Sequence, residues 1–126
     1  MALTHRVERM QEQVREEVSQ MLATEVRDPG VGLVTVTRAK VTADLSLARV
    51  YWTILGNEHE RQKTQQALER ATGFVRHLLA ERLSLRRSPE VKFIYDASVA
   101  AQQRVEEIIQ EIHAEDAARK KVDETR

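Results

Sequence analysis

The sequence contains no cysteine. That excludes a disulfide scaffold, a thiolate metal centre and a cysteine nucleophile, and it fits a reducing compartment. No apolar run approaches the roughly 20 residues that cross a bilayer. The opening segment, Met1 to Gln11, has no continuous apolar stretch of the signal-peptide kind. The expectation is a cytoplasmic chain with no membrane contact. Neither sign of charge is in excess, since 20 Lys and Arg face 20 Asp and Glu. There is no Walker loop, no glycine-rich dinucleotide fingerprint and no nucleophile elbow. His5, His59, His77 and His113 lack metal-binding spacing, so no cofactor and no metal are expected. No repeat and no low-complexity tract interrupts the chain.

What is present suits a soluble globular protein of one domain. The chain has 126 residues, 41% apolar and 32% charged, enough to bury a real core. The zero net charge conceals a pattern. Residues 61–87 carry 7 basic and 2 acidic side chains, whereas residues 88–126 carry 6 and 9. A basic island in a neutral-to-acidic chain creates a local positive field. The bland alternative is that these arginines pair with acidic helices nearby.

Periodicity divides the chain into elements. Leu3, Val7, Met10, Val14, Val18 and Met21 recur at steps of three and four, one apolar stripe of a helix ending near Thr24. Arg27-Asp28-Pro29-Gly30 stops it. Leu33 to Val41 is rich in β-branched residues and reads as a strand. A second strand, Leu47 to Leu55, places Ala48, Val50, Trp52 and Ile54 on one face. The short break at Thr42–Ser46 makes these strands an antiparallel hairpin. Thr64, Leu68, Ala71, Val75 and Leu78 form another helical stripe. Gly73 interrupts it, either inside one long helix or where two helices meet. Leu83 and Leu85 carry the apolar pattern towards Pro89. Val91, Phe93 and Tyr95 alternate as a third strand, and Ser98 caps a last helix bearing Val105, Ile108, Ile109 and Ile112. Beyond Ala114 the residues are charged or small and the chain is expected to fray. The expected fold is α+β, with helices packed on a three-stranded sheet. Residues 1–113 would form the domain and 114–126 a charged flexible tail.

Within the island, Lys63, Ala67 and Arg70 share a helical stripe, and small Ala71, Thr72 and Gly73 follow. Arg76, Arg82, Arg86 and Arg87 come next. A helix beginning at Gly73 would offer free N–H groups to phosphate, and glycine would let a partner approach closely. Asp44 and Asp96 lie beside strand ends, but an Asx-turn and a helix cap account for them without acid–base chemistry.

The island and its surroundings resemble the ribosome-binding factor A family. The resemblance rests on Arg27-Asp28-Pro29, Leu33-Val34-Thr35-Val36-Thr37, Asp44-Leu45-Ser46 and Ala48-Arg49-Val50-Tyr51. It continues through Ala71-Thr72-Gly73-Phe74-Val75-Arg76, Leu85-Arg86-Arg87-Ser88-Pro89-Glu90, Phe93-Ile94-Tyr95-Asp96-Ala97-Ser98 and Arg104-Val105-Glu106-Glu107-Ile108-Ile109. The pieces stand in family order over most of residues 4–112. The resemblance implies a type II KH-like fold of helix, strand, strand, helix, kink, helix and strand plus a C-terminal helix. An Ala-x-Gly kink, here Ala71-Thr72-Gly73, replaces the nucleic-acid-clamping loop of ordinary KH domains. It implies a non-enzymatic factor that binds the free small ribosomal subunit and supports late 16S rRNA maturation, including 5′-end processing, and growth in the cold. The RNA contacts would come from Lys63, Arg70, Ala71, Thr72, Gly73, Arg76, Arg82, Arg86 and Arg87, in a monomer. Where the family usually has a basic residue after Asp-Pro, this chain has Gly30. The competing reading is an oligomeric adaptor that binds protein, not RNA, through its terminal amphipathic helices.

Overall fold

The computed structural model describes residues 2–28, 30–31 and 34–124. Helix α1 (Ala2–Thr24) leads into strands β1 (Thr35–Val41) and β2 (Leu47–Thr53). Helix α2 (Glu58–Arg82), strand β3 (Glu90–Tyr95) and helix α3 (Val99–Glu124) follow. The strands form one sheet in the order β1-β2-β3. β1 and β2 are antiparallel, as the short break between them implies, and β3 runs parallel to β2. A parallel pair needs a long crossover, which α2 supplies. The architecture is therefore α+β. α1 packs on β1, α2 on β3, and the two helices touch each other.

The apolar stripes become the core. Val14, Val18, Met21 and Leu22 of α1 are buried, with Val7 and Met10 packed at its margin. Alternation along β2 buries Ala48, Val50 and Trp52 and leaves Arg49 exposed. Trp52 is completely buried in the central strand. Its indole N–H donates to Gln65 Oε1 at 3.0 Å, and Gln65 Nε2 donates to the Phe93 carbonyl at 3.0 Å. Tyr95 meets the indole edge-on, with ring centres 5.2 Å apart. Without Gln65 a buried donor would stand unpaired, a penalty of about 1–3 kcal/mol.

Several boundaries differ from the sequence expectations. α2 is one helix and runs through Ala71-Thr72-Gly73 without a break. No second helix starts at Gly73: of the two readings left open there, one long helix or a junction of two, the structure has one long helix. The flanking residues, good helix formers with a continuous buried stripe, carry the backbone across a single glycine whose penalty is about 1 kcal/mol. Thr72 joins the same ladder, its hydroxyl donating to the Leu68 carbonyl at 2.9 Å. The helix then ends at Arg82, not closer to Pro89. Leu85 N donates to Ala80 O at 2.8 Å and Ser84 N to Glu81 O at 3.3 Å, the paired bonds of a Schellman stop. Ser84 takes φ 53° there, a position usually held by glycine, so the sequence carries no obvious stop signal. β1 contains a bulge between Val36 and Arg38. Pro29 and Leu33, read as helix stop and strand start, lie outside the described residues. The α3 backbone continues past Ala114 to Glu124.

Both strand-end carboxylates serve the backbone. Asp44 accepts from the Thr42 hydroxyl (2.8 Å), the Ser46 N–H (3.1 Å) and the Ser46 hydroxyl (2.8 Å), closing the β1–β2 turn. Asp96 is buried and accepts from the Thr37 hydroxyl at 2.6 Å and the Ser98 N–H at 3.0 Å. Arg38 lies 3.6 Å away. The bulge turns Thr37 towards this carboxylate. Ser98 in turn caps α3, its hydroxyl accepting from Ala101 N at 3.2 Å.

Burial works to raise the Asp96 carboxyl, but the Thr37 and Ser98 hydrogen bonds and Arg38 outweigh it and hold its pKa below the ordinary value. A carboxylate lowered in the folded state adds stability above its unfolded pKa and loses that contribution as the pH falls. Asp96→Ala should therefore lower unfolding stability by about 2–3 kcal/mol at neutral pH. The deficit should shrink in acid, as read by urea denaturation across a pH series.

Candidate nucleic-acid interface

The candidate site is carried mainly by α2, whose start is fixed by its cap. Asn57 Oδ1 accepts from Glu60 N at 2.9 Å, and Glu58 and Glu60 stand in the first turn, where negative charge complements the helix dipole. Thr64, Ala67, Leu68, Ala71, Val75 and Leu79 form the buried stripe. That orientation turns Lys63, Arg70, Gly73 and Phe74 outwards. Ala67, grouped with Lys63 and Arg70 from spacing, instead faces inwards and is fully buried.

The reason is the turn that follows α1. A side chain at Gly30 would place its Cβ 2.7 Å from the Ala67 Cβ, so only glycine lets the turn lie this close to α2. The steric limit explains why a basic residue does not fit at this position. Asp28 secures the contact. Its Oδ1 accepts from Gly30 N at 2.9 Å, and the Arg70 guanidinium forks onto it at 3.0 and 3.2 Å. Arg70, then the Gly30 amide, holds the Asp28 carboxyl below its ordinary pKa. Arg27, Asp28, Arg70, Ala71 and Phe74 line an open groove of about 470 Å³ beside this clamp.

The remaining predicted residues separate. Arg76 Nε donates to the Pro89 carbonyl at 2.8 Å, tying α2 to the entry of β3, and among the described residues Arg76 forms no ion pair. Arg82 turns to α1, where it pairs with Glu17 at 3.3 Å and with Glu25. Its charge is neutralised inside the fold. Arg86 and Arg87 lie on the exposed loop after α2 and line a second groove of about 430 Å³ with Asp44, Leu45, Ser46 and Ser88. Among the described residues, Lys63, Arg86 and Arg87 form no ion pair. The structure thus brings Arg70, Ala71 and Phe74 together beside the turn, with exposed Gly73 next along α2. Arg86 and Arg87 are grouped by the β1–β2 turn, and Arg82 is directed elsewhere.

Phe74 was not singled out from the sequence, although it falls off the apolar stripe and is 46% exposed. The Asp28–Arg70 pair had no sequence signal, because 42 residues separate its partners. Gly73 differs from Gly30 in kind. A Cβ at Gly73 would meet nothing within 4 Å. The fold does not require glycine there, yet it accepts the helix penalty.

Known proteins supply the comparison. The family model described as ribosome-binding factor A matches residues 6–109. The ribosome-binding factor A of Staphylococcus carnosus (strain TM300) is 44% identical over 111 residues, 88% of this chain and 96% of the relative. The crystal structure of ribosome-binding factor A from Thermus thermophilus aligns with a TM-score of 0.62 at 25% identity, covering 71% of this chain and 94% of that one. A homology model of the Thermus thermophilus ribosome-binding factor A, fitted into the cryo-EM map of its 30S complex, aligns with a TM-score of 0.55 at 26% identity, covering 67% of this chain and 88% of that one. The fold of this chain is KH-like, as in these structures.

The two glycines should respond oppositely to alanine. Gly73→Ala should raise unfolding stability by about 1 kcal/mol. Gly30→Ala should lower it by about 1–3 kcal/mol, because the turn must move off Ala67. Chemical denaturation of both variants measures the two signs.

Proposed function

The chain belongs to the ribosome-binding factor A family, and on that premise we propose that it is a non-enzymatic assembly factor for the small ribosomal subunit. The observation that carries the RNA-facing part is the set of cations without carboxylate partners on α2 and the loop after it, beside the open space at Gly73. Lys63, Arg76, Arg86 and Arg87 neutralise phosphates, with Arg70 sharing its charge between Asp28 and RNA. Ala71-Thr72-Gly73 is the stretch where the missing side chain lets the RNA backbone come close. Five such cations contribute a log–log salt slope of roughly −3.5 to −4.5. Arg82 is a positioning residue that holds α2 on α1.

In this reading the protein acts as a cytoplasmic monomer. It binds the free small subunit, holds an immature arrangement of 16S rRNA, supports late maturation including 5′-end processing, and leaves when the mature subunit no longer presents that arrangement. Growth at low temperature depends on it, because misfolded RNA rearranges slowly in the cold. The ribosome-binding unit is 1–113, which contains the matched residues 6–109, and 114–126 is an accessory tail. The 30S complex of the Thermus thermophilus relative supports the choice of partner. A second reading, an oligomeric adaptor, draws on the exposed Ile108 and Ile112 of α3. Concentration-dependent self-association would favour it.

Co-sedimentation with purified small subunits, large subunits and whole ribosomes tests the proposal. The protein should migrate with small subunits and leave them at high salt. Arg86→Glu with Arg87→Glu should weaken migration at least tenfold without loss of fold, since both side chains stand free on a loop. Arg76→Glu is the less clean variant, because it also removes the bond to Pro89. A folded wild-type protein that stays at the top of the gradient at low salt overturns the proposal.

A further inference from the structure

A second group of cations lies on the sheet, away from α2. Strand register pairs Lys40 of β1 with Arg49 of β2, and Arg49 with Lys92 of β3. The three therefore stand side by side in one row across all three strands. Their chain neighbours Ala39 and Val41, Ala48 and Val50, and Val91 and Phe93 are buried. Alternation then points the row to the face opposite α1 and α2, where all three residues are exposed. Directly opposed side chains have Cβ atoms only about 5 Å apart, and like charges in that position repel. No carboxylate relieves them: among the described residues, Lys40, Arg49 and Lys92 form no ion pair. Glu90, two residues before Lys92, is opposite Leu47 in the neighbouring row and pairs with neither Lys92 nor Arg49. On the other side Arg38, half exposed, lies over the Tyr51 ring at 4.1 Å, with its charge shared with Asp96 at 3.6 Å.

The row is continuous with the candidate site. Glu90 N donates to Ser46 O at 2.9 Å at the start of β2 and β3. Ser46 lines the same groove as Arg86 and Arg87. The basic loop and the basic row thus border the same end of the sheet. A folded chain that keeps three mutually repelling cations in register, none of them in an ion pair among the described residues, favours an external polyanion.

We propose that the exposed row on this sheet face is a second RNA-backbone surface, on which Lys40, Arg49 and Lys92 each neutralise a phosphate of the strand that also meets Arg86 and Arg87. The occupant is RNA because the row offers point charges at regular spacing along the register of three strands. The inference rests on the ribosomal reading above for the identity of that RNA.

The test compares wild type with the triple variant Lys40→Gln, Arg49→Gln, Lys92→Gln on two probes, naked 16S rRNA and purified small subunits, across a potassium chloride series. The triple variant should bind both at least tenfold more weakly, and its log–log salt slope should be shallower by about 2–3. It should melt no lower than wild type, since repulsion has been removed. The charge-keeping variant Lys40→Arg, Arg49→Lys, Lys92→Arg should bind like wild type. Equal affinity and slope of wild type and triple variant on naked rRNA overturn the proposal. If the triple variant is then weaker on subunits alone, the row meets an acidic ribosomal protein instead. If wild type fails on subunits while the triple variant still loses naked-rRNA affinity, the assembly-factor reading falls and the sheet-face surface stands.

Discussion

The buried Trp52 constrains the arrangement of everything that faces outwards. An indole at the centre of the middle strand removes a large apolar surface from water, but its N–H must find an acceptor in a dry core. Gln65 supplies it and donates its own amide N–H to the Phe93 carbonyl. This one side chain therefore joins β2, α2 and β3. It also fixes the rotation of α2 about its axis. With Gln65 held over the sheet, Thr64, Leu68, Ala71 and Val75 are buried, and Lys63, Arg70 and Gly73 are exposed. The polar surface of α2 is a consequence of how its apolar stripe is pinned.

A chain of zero net charge can still carry positive patches because its carboxylates are used locally. Asp28 holds Arg70, Glu17 and Glu25 hold Arg82, and Asp96 lies beside Arg38. Such pairs fix the turn after α1, the α1–α2 contact and the start of α3. Exposed ion pairs contribute little stability in themselves; their effect here is on geometry and on field. Each acid that closes an internal contact leaves other cations without a counter-charge. Lys63, Arg86 and Arg87 are such cations near α2, and Lys40, Arg49 and Lys92 are their counterparts on the sheet. The neutral total is thus a poor guide to the surface.

The two glycines on either side of the Asp28–Arg70 clamp show how fold and binding make separate demands. Gly30 is glycine because α2 leaves no room for a Cβ. Gly73 has room for one, so no packing within the chain explains it. On the function proposed above, the small-residue stretch is a docking feature even though α2 is unbroken. Close approach of a partner needs a missing side chain, and it does not need a helix end.

The sequence by itself determined the elements whose signal is local and repeated. The α1 stripe, the alternation of β2 and β3, the hairpin break and the Ser98 cap could all be read from spacing, because buried positions recur with the period of the backbone that carries them. The cations around Ala71-Thr72-Gly73 were visible as an uneven distribution of charge along the chain, and the stretch itself through the family resemblance. Tertiary structure alone decided the rest. Whether Gly73 breaks a helix depends on the packing of both flanks, and α2 is continuous. The stop at Arg82 is made by Ser84 in a left-handed conformation, which its residue type does not announce. Arg82 differs from Arg86 and Arg87 only in its neighbours, which lie 57 and 65 residues away. The Lys40–Arg49–Lys92 row exists only through strand register. Pairing across a sheet, and the pairing of charges across distant elements, are contacts between remote parts of the chain, and no local period encodes them.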